Sequence, residues 1–165
     1  MRILFIVFTL LINMTCSSQN RCDPDVSEVV LTDKDKVVEL FDSLAAQKLD
    51  SKEKRKNVPR FIRKTFKCWF GDFRIADVGK SFNSTDVVIN RLPNERIKFL
   101  ALNNKYLILA TEKGGRAASD YVILIEFQNK KIRKYWEGND ILQDLITQEN
   151  IMTHIYYSIN EKYKN

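Results

Sequence analysis

Between Glu95 and Trp136 the chain alternates between apolar runs and short polar insertions, a pattern that predicts antiparallel strands. Residues 97–102 and 106–111 are two such runs, separated by Asn103, Asn104 and Lys105. Asn tolerates left-handed backbone, so Asn103-Asn104 is expected to form a hairpin turn, with Ala101 facing Tyr106 and Phe99 facing Ile108. Side chains alternate along strands. One face then carries Ile97, Phe99, Ala101, Tyr106, Ile108 and Ala110, and the other Leu100, Leu102, Leu107 and Leu109. A second hairpin is expected over 121–136, turning at Asn129-Lys130, with Gln128 opposite Lys131, Phe127 opposite Ile132 and Glu126 opposite Arg133. A sheet with one wet face shows polar alternation. These strands do not, so both faces must be covered.

Amphipathic periodicity supplies the cover. Thr32 is the expected N-cap of a helix with Asp33 and Asp35 in its first turn and Val37, Leu40, Phe41 and Leu44 on one stripe. Pro59 opens a second helix, with Ile62, Phe66 and Trp69 inward, and Gly71-Asp72 ends it. Phe73 and Ile75 begin a further strand. Residues 79–94 read as loop, with a short edge strand over 86–90 as an option. Asn139 is the expected cap of a final helix carrying Ile141, Leu142, Leu145 and Ile146. Residues 151–159 fit either a helix, through Ile151, Ile155 and Ile159, or a strand, through Thr153, Ile155, Tyr157 and Ile159; a helical continuation with a break near 148–150 is the expectation. The fold class is α+β: two N-terminal helices, an antiparallel sheet of four to six strands and a C-terminal helix in one domain over 31–165. This order resembles the cone-shaped nuclear-transport-factor-like and cystatin-like folds, a resemblance that carries no function.

The start of the chain is an address. Met1-Arg2 precedes an apolar stretch, Ile3 to Ile12, that is too short for the about 20 residues of a membrane span and suits a signal peptide. The region from Asn13 to Gln19, with Cys16 followed by Ser17 and Ser18, resembles the cleavage region of bacterial lipoproteins. That resemblance implies loss of residues 1–15, lipidation (palmitate among the acyl groups) of Cys16, a tether over 16–30 and anchoring in the cell envelope facing the periplasm or exterior. Asn13 and Met14 depart from the usual aliphatic and small residues. The alternative is ordinary cleavage after Ser17 or Ser18, giving a secreted protein.

Charge is concentrated in one place. Of 27 Lys and Arg in a chain of net charge +6, nine lie between Lys48 and Lys67, opposed only by Asp50 and Glu53. Lys52, Lys54, Arg55, Lys56, Arg60, Arg63, Lys64 and Lys67 form the candidate basic patch. A solvated helix face and an anionic partner both fit this pattern. A lipid anchor combined with a polybasic patch forms a two-signal membrane attachment. Nucleic acid is disfavoured by the export signal and the lack of a nucleic-acid motif.

Candidate chemistry is sparse. Cys22 and Cys68 are a possible disulfide in an oxidising compartment, and the reading with Cys68 buried and Cys22 free stands beside it. One His and no Cys-x-x-Cys leave no expected metal site, and no cofactor fingerprint is present. His154, in an amphipathic stretch, reads as a packing or surface residue. Gly79-Lys80-Ser81 lacks the upstream glycine of a phosphate loop, where Arg74 stands. Asn83-Ser84-Thr85 is a glycosylation sequon. Asp72, Asp77, Glu112 and Asp120 are acids near strand ends. The best local constellation is the loop with Glu112, Gly114, Gly115, Arg116 and Asp120: glycines that admit a ligand, a guanidinium to grip an anion and two flanking acids. The leading expectation is therefore a lipid-anchored envelope protein whose domain binds a ligand or partner. The alternatives are a small exported hydrolase using carboxylates, and a secreted basic protein acting on anionic surfaces.

Overall fold

The computed structural model describes residues 22–115, 119–140 and 147–162. Its centre is an open six-stranded sheet. β3 (Glu95–Leu102), β4 (Tyr106–Lys113), β5 (Ser119–Gln128) and β6 (Lys131–Asp140) form the antiparallel meander. The outer edge of β3 is shared by β1 (Asp50–Lys52), antiparallel, and the two-residue β2 (Ile75–Ala76), parallel. The outer edge of β6 receives Val30 in a parallel bridge to Tyr135, with the Leu31 amide donating to the Tyr135 carbonyl at 2.8 Å. Both edges thus carry short protective pairings, which blunt their capacity to recruit another strand.

The second hairpin turns where expected. Asn129 and Lys130 take φ of 52° and 60°, and Gln128 opposes Lys131. A bulge then places Glu126 opposite Lys134 rather than Arg133. The first hairpin closes one residue later than expected, around Asn104-Lys105, so that Ala101 opposes Ile108 and Phe99 opposes Ala110. The reason is the Asn103 side chain. Its Oδ1 accepts from the Lys105 and Tyr106 amides at 2.9 and 2.8 Å, an Asx turn that competes with the left-handed turn. The shift is two in register, so the faces keep their membership with one exception. A bulge at Lys98 reverses Ile97, which packs with Leu100, Leu107 and Leu109.

Among the described residues three α-helices, α1 (Val26–Val29), α2 (Lys34–Ala45) and α3 (Arg60–Phe70), and a 3-10 turn at Arg55–Asn57 precede the meander. Asp33, not Thr32, caps α2; its Oδ1 accepts from the Lys36 amide at 3.1 Å, and a carboxylate there also meets the helix dipole. Pro59 precedes α3, and Gly71 ends it at φ 80°, the left-handed stop that glycine provides. The stretch 86–90, with its optional edge strand, is irregular. Asn139 does not cap a helix: the β5–β6 ladder runs on through it, opposite Tyr121. Ile141, Leu142, Leu145 and Ile146 lie outside the described residues. The last element is α4 (Gln148–Lys162), which buries Ile151, Met152, Ile155 and Ile159.

The helices divide the faces differently from a simple N-terminal and C-terminal split. α2 and α4 share one face, where Leu40 and Ile155 pack with Phe99, Ile108, Leu124 and Trp136. α3 covers the other, where Ile62 and Phe66 meet Leu107, Leu109, Ile125 and Tyr135, with Val29 of α1 beside them. α3 spans only part of that face, and the uncovered remainder holds the cleft described below.

Residues 22–31, expected largely as tether, are bound to the body. Cys22 and Cys68 form a disulfide with Cα atoms 5.8 Å apart. Trp69 Nε1 donates to the Pro24 carbonyl at 2.9 Å, and Val29 is buried in the α3 face.

Candidate functional site

The acids singled out in the sequence are each engaged. Asp72 accepts from Arg74 Nε at 2.6 Å and from the Phe73 amide at 2.7 Å. Asp77 Oδ1 takes the Arg55 amide at 2.6 Å. Glu112 and Asp120 stand side by side across β4 and β5, on the face covered by α2 and α4. Glu112 is ion-paired to Arg96, and Asp120 to Lys98 at 2.9 Å. These two pairs tie three adjacent strands together.

The glycines beside them have separate roles. A Cβ on Gly114 would lie 1.8 Å from the Asn83 carbonyl oxygen, so Gly114 admits the close approach of the 83–94 loop. Gly115 has open space around it and a φ of 119°. Arg116 and Cys16 lie outside the described residues. Where its residues are described, Glu112 and Asp120 are ion-paired, and Gly114 and Gly115 border a shallow depression against the 83–94 loop. Asn83, the sequon residue, is buried. Its Nδ2 donates to the carbonyls of Ile89 and Leu92 and to Asn94 Oδ1, and its Oδ1 accepts from the Ile89 amide at 2.9 Å. Capture of Ile89 by this side chain removes the backbone groups an edge strand would need. Val87, Val88 and Ile89 are left exposed.

A cleft of about 410 Å³ opens on the α3 face, beyond the C-terminal end of that helix. Its floor is the far end of the meander, its wall is Phe66, Phe70 and Phe73, and its rim carries the Asp72–Arg74 pair. Alternation along the strands places Glu95, Tyr121, Tyr135 and Glu137 on this floor. Burial pushes the Glu95 carboxyl above its ordinary range, against the pull of Lys113, its cross-strand neighbour. Among the described residues the Glu95 carboxyl has no hydrogen bond or ion pair. The Tyr135 hydroxyl donates to Glu137; burial first, then that carboxylate, pushes the phenol far up, so it remains a donor across the physiological range.

Comparison with family models, with curated proteins and with solved structures gives no match. The site therefore rests on its own geometry. Sequence reasoning passed over Glu95 because it stands at a strand start, where acids are usually solvated. The available signal was the alternation Tyr135–Glu137 on a face otherwise apolar, together with Phe66, Phe70 and Phe73 at one helix end.

Glu95 makes a direct prediction. Its carboxyl is raised in the folded state, so folding favours the protonated form, and stability is lost as pH rises through that raised value. Glu95→Gln removes this loss. The variant is expected to melt higher than wild type at pH 7 and level with it near pH 3.5, measured by thermal unfolding at both pH values. A variant that is equally or less stable at pH 7 contradicts an unsatisfied carboxylate.

The basic patch divides into structural and free members. Arg55 Nη1 donates to the Phe73 carbonyl at 3.2 Å, Arg63 Nε to the Val58 carbonyl at 3.1 Å, and Lys52 lies 3.8 Å from Asp50. Lys54, Lys56, Arg60, Lys64 and Lys67 are exposed and make no ion pair among the described residues. Arg60, Lys64 and Lys67 stand at neighbouring positions along one side of α3, a like-charge spacing that destabilises an isolated helix by a few tenths of a kcal/mol per pair. The first turn of α3 holds no acid to balance them. No helix among the described residues is long and apolar enough to cross a membrane.

Proposed function

We propose that the protein is an exported, lipid-anchored component of the cell envelope, whose α+β domain binds a ligand while its basic helix face rests against an anionic membrane. The observation that carries this reading is the Cys22–Cys68 disulfide. It fixes the chain six residues beyond Cys16 onto α3, the helix whose outer side bears the free cations. Six extended residues reach roughly 20 Å at most. A lipid on Cys16 would thus hold α3 close to the bilayer, where each unpaired Lys or Arg adds about 1 kcal/mol of attraction. The cleft lies beyond the C-terminal end of α3 and is lined by Phe66 and Phe70 rather than by the exposed cations.

Binding is favoured over carboxylate hydrolysis because Asp72, Asp77, Glu112 and Asp120 are already paired and Glu137 accepts the Tyr135 hydroxyl. The specific fold belongs to this proposal too. Two helices laid on one face of a four-strand meander support a cone of the nuclear-transport-factor-like or cystatin-like kind, with α3 added on the second face.

Membrane fractionation with intact-mass measurement tests the anchor. Wild type is expected in the membrane fraction with a lipid adduct on Cys16, and Cys16→Ala in the soluble fraction; retention of the variant defeats the anchor. The basic face is tested on Cys16→Ala protein with phosphatidylglycerol vesicles at low and high salt. Replacing Lys54, Lys56 and Lys64 by Ala, which leaves the structural Arg55 and Arg63 intact, is expected to weaken low-salt binding by roughly 100-fold. Unchanged binding leaves α3 as a merely solvated face.

A further inference from the structure

We propose that the cleft beside α3 binds a small organic cation, an alkyl or aryl ammonium, with Glu95 and Glu137 as its counter-charges and the rings of Phe70, Phe73 and Tyr121 around its apolar part. This rests on the reading of the domain as a binding module and names its ligand class; it is independent of the anchor.

Four observations carry it. The first is size and composition: about 410 Å³ lies within the range of small-molecule sites, and the lining combines aromatic walls with a few convergent polar groups. The second is charge. Among the acids and bases of the cleft, Asp72 and Arg74 neutralise each other, leaving Glu95 and Glu137 against Lys113. The cleft is therefore locally acidic in a chain of net charge +6. The third is the unmet demand of Glu95, a half-buried carboxyl with no hydrogen bond or ion pair among the described residues. A cation is the partner that such a group lacks, because an opposite charge within a few ångströms favours its ionised form. The fourth is the wall. Aromatic faces attract ammonium groups through their quadrupole, and the attraction strengthens when the site is shielded from water. Phe66 stacks edge-on against both Phe70 and Phe73, with centroids 5.7 and 5.3 Å apart, so the rings are held in place before any ligand arrives.

Other ligand classes fit less well. An anion would meet two carboxylates with one lysine to offset them. A neutral polyol could accept hydrogen bonds from Lys113 and stack on the rings, but it would leave Glu95 without a counter-charge. The Tyr135 hydroxyl is committed to Glu137, which orients that carboxylate toward the cleft floor rather than leaving it to rotate.

The test is calorimetric titration of the full protein in detergent with three probes of similar shape: phenethylammonium, 2-phenylethanol and 3-phenylpropanoate. Phenethylammonium is expected to bind saturably with a Kd of roughly 1 mM or below. The alcohol should bind at least tenfold more weakly, and the carboxylate not at all. Glu95→Gln is expected to weaken ammonium binding about tenfold while remaining folded, since the substitution removes a destabilising charge. Phe70→Ala is the second variant. Phe70 is 52 % exposed, so its loss leaves the core intact and should reduce affinity severalfold. Equal affinity for the ammonium and the alcohol, an affinity unchanged in both variants, or no saturable ammonium binding up to about 10 mM overturns the assignment. None of these outcomes alters the fractionation of Cys16→Ala, so failure of the ligand class and failure of the anchor are read separately.

Discussion

Replacing Cys22 and Cys68 together by Ala is expected to lower the unfolding free energy by about 4 kcal/mol, the chain-entropy value for a loop of this length. The two cysteines are 46 residues apart in sequence, so the bridge restricts a long segment of the unfolded chain. That segment includes α1, α2, β1 and most of α3. Locally, the bridge holds residues 22–31 against β6, where Val30 pairs with Tyr135 and Trp69 donates to the Pro24 carbonyl. Without it these contacts must overcome the entropy of ordering the segment alone. Urea unfolding with and without dithiothreitol provides the measurement. Wild type should lose stability on reduction, and the double variant should not respond. Identical midpoints for oxidised wild type and the variant would show that the bridge constrains nothing. The same experiment bears on orientation, because the bridge is what ties the start of the described chain to the basic helix.

The second large effect is expected at Asn83. Asn83→Ala should destabilise the protein by roughly 3 kcal/mol, since it strips partners from two carbonyls, an amide and the Asn94 side chain in a buried setting. The side chain acts as the spine of the 83–94 loop, and the Asn83 backbone adds a bond from its amide to the Pro93 carbonyl at 2.8 Å. The loop is further seated by the Gly114 amide, which donates to the Asn94 carbonyl at 3.0 Å. Asn83→Asp keeps the acceptor for Ile89 but loses both Nδ2 protons, so it should fall between wild type and Ala. Urea unfolding reads the magnitude, and limited proteolysis reads its place: new cleavage should appear within 84–92. A change below about 0.5 kcal/mol would mean that water replaces the side chain without loss. The geometry also removes the sequon as a modification site in the folded protein. Nδ2 is buried and donates to three acceptors, leaving no space or valence for a glycan.

What could be read in advance was local. The strands of the meander follow from period-two apolar runs, and the membership of each face survives even where the register slips, because a shift of two residues preserves alternation. Asn129-Lys130 turns the second hairpin because left-handed backbone at both positions suits a two-residue turn. The α3 start and stop follow from Pro59 and Gly71, whose backbones have few alternatives. The first hairpin escaped by one residue because Asn103 offered a side-chain acceptor, a choice that propensity alone does not rank. Asn139 has the residue type of a good cap, but its pairing partner Tyr121 claims it for the ladder.

The candidate site was barely legible. Glu112 and Asp120 have the residue types of a site, yet their fate depends on Arg96 and Lys98 of a strand whose bulge sets the reach of both. Gly114 is the point where the 83–94 loop touches, a contact that no local pattern announces. Glu95 becomes notable only when its surroundings are assembled from β3, β6 and the end of α3.

The amino-acid sequence by itself determined the class of the fold, the alternation of its central strands and the concentration of cations between Lys48 and Lys67. Each depends on neighbours within a few residues, whose geometry the backbone dictates. The tertiary structure alone decided that α2 and α4 share one face while α3 takes the other, that Ile97 changes side, and that Glu95 and Glu137 border one cleft. An amphipathic helix specifies a stripe to be buried but not the surface that buries it. Where both sheet faces are apolar, that choice falls to chain connectivity and packing. Because α3 covers only part of its face, the remaining floor of the sheet lies open as the cleft.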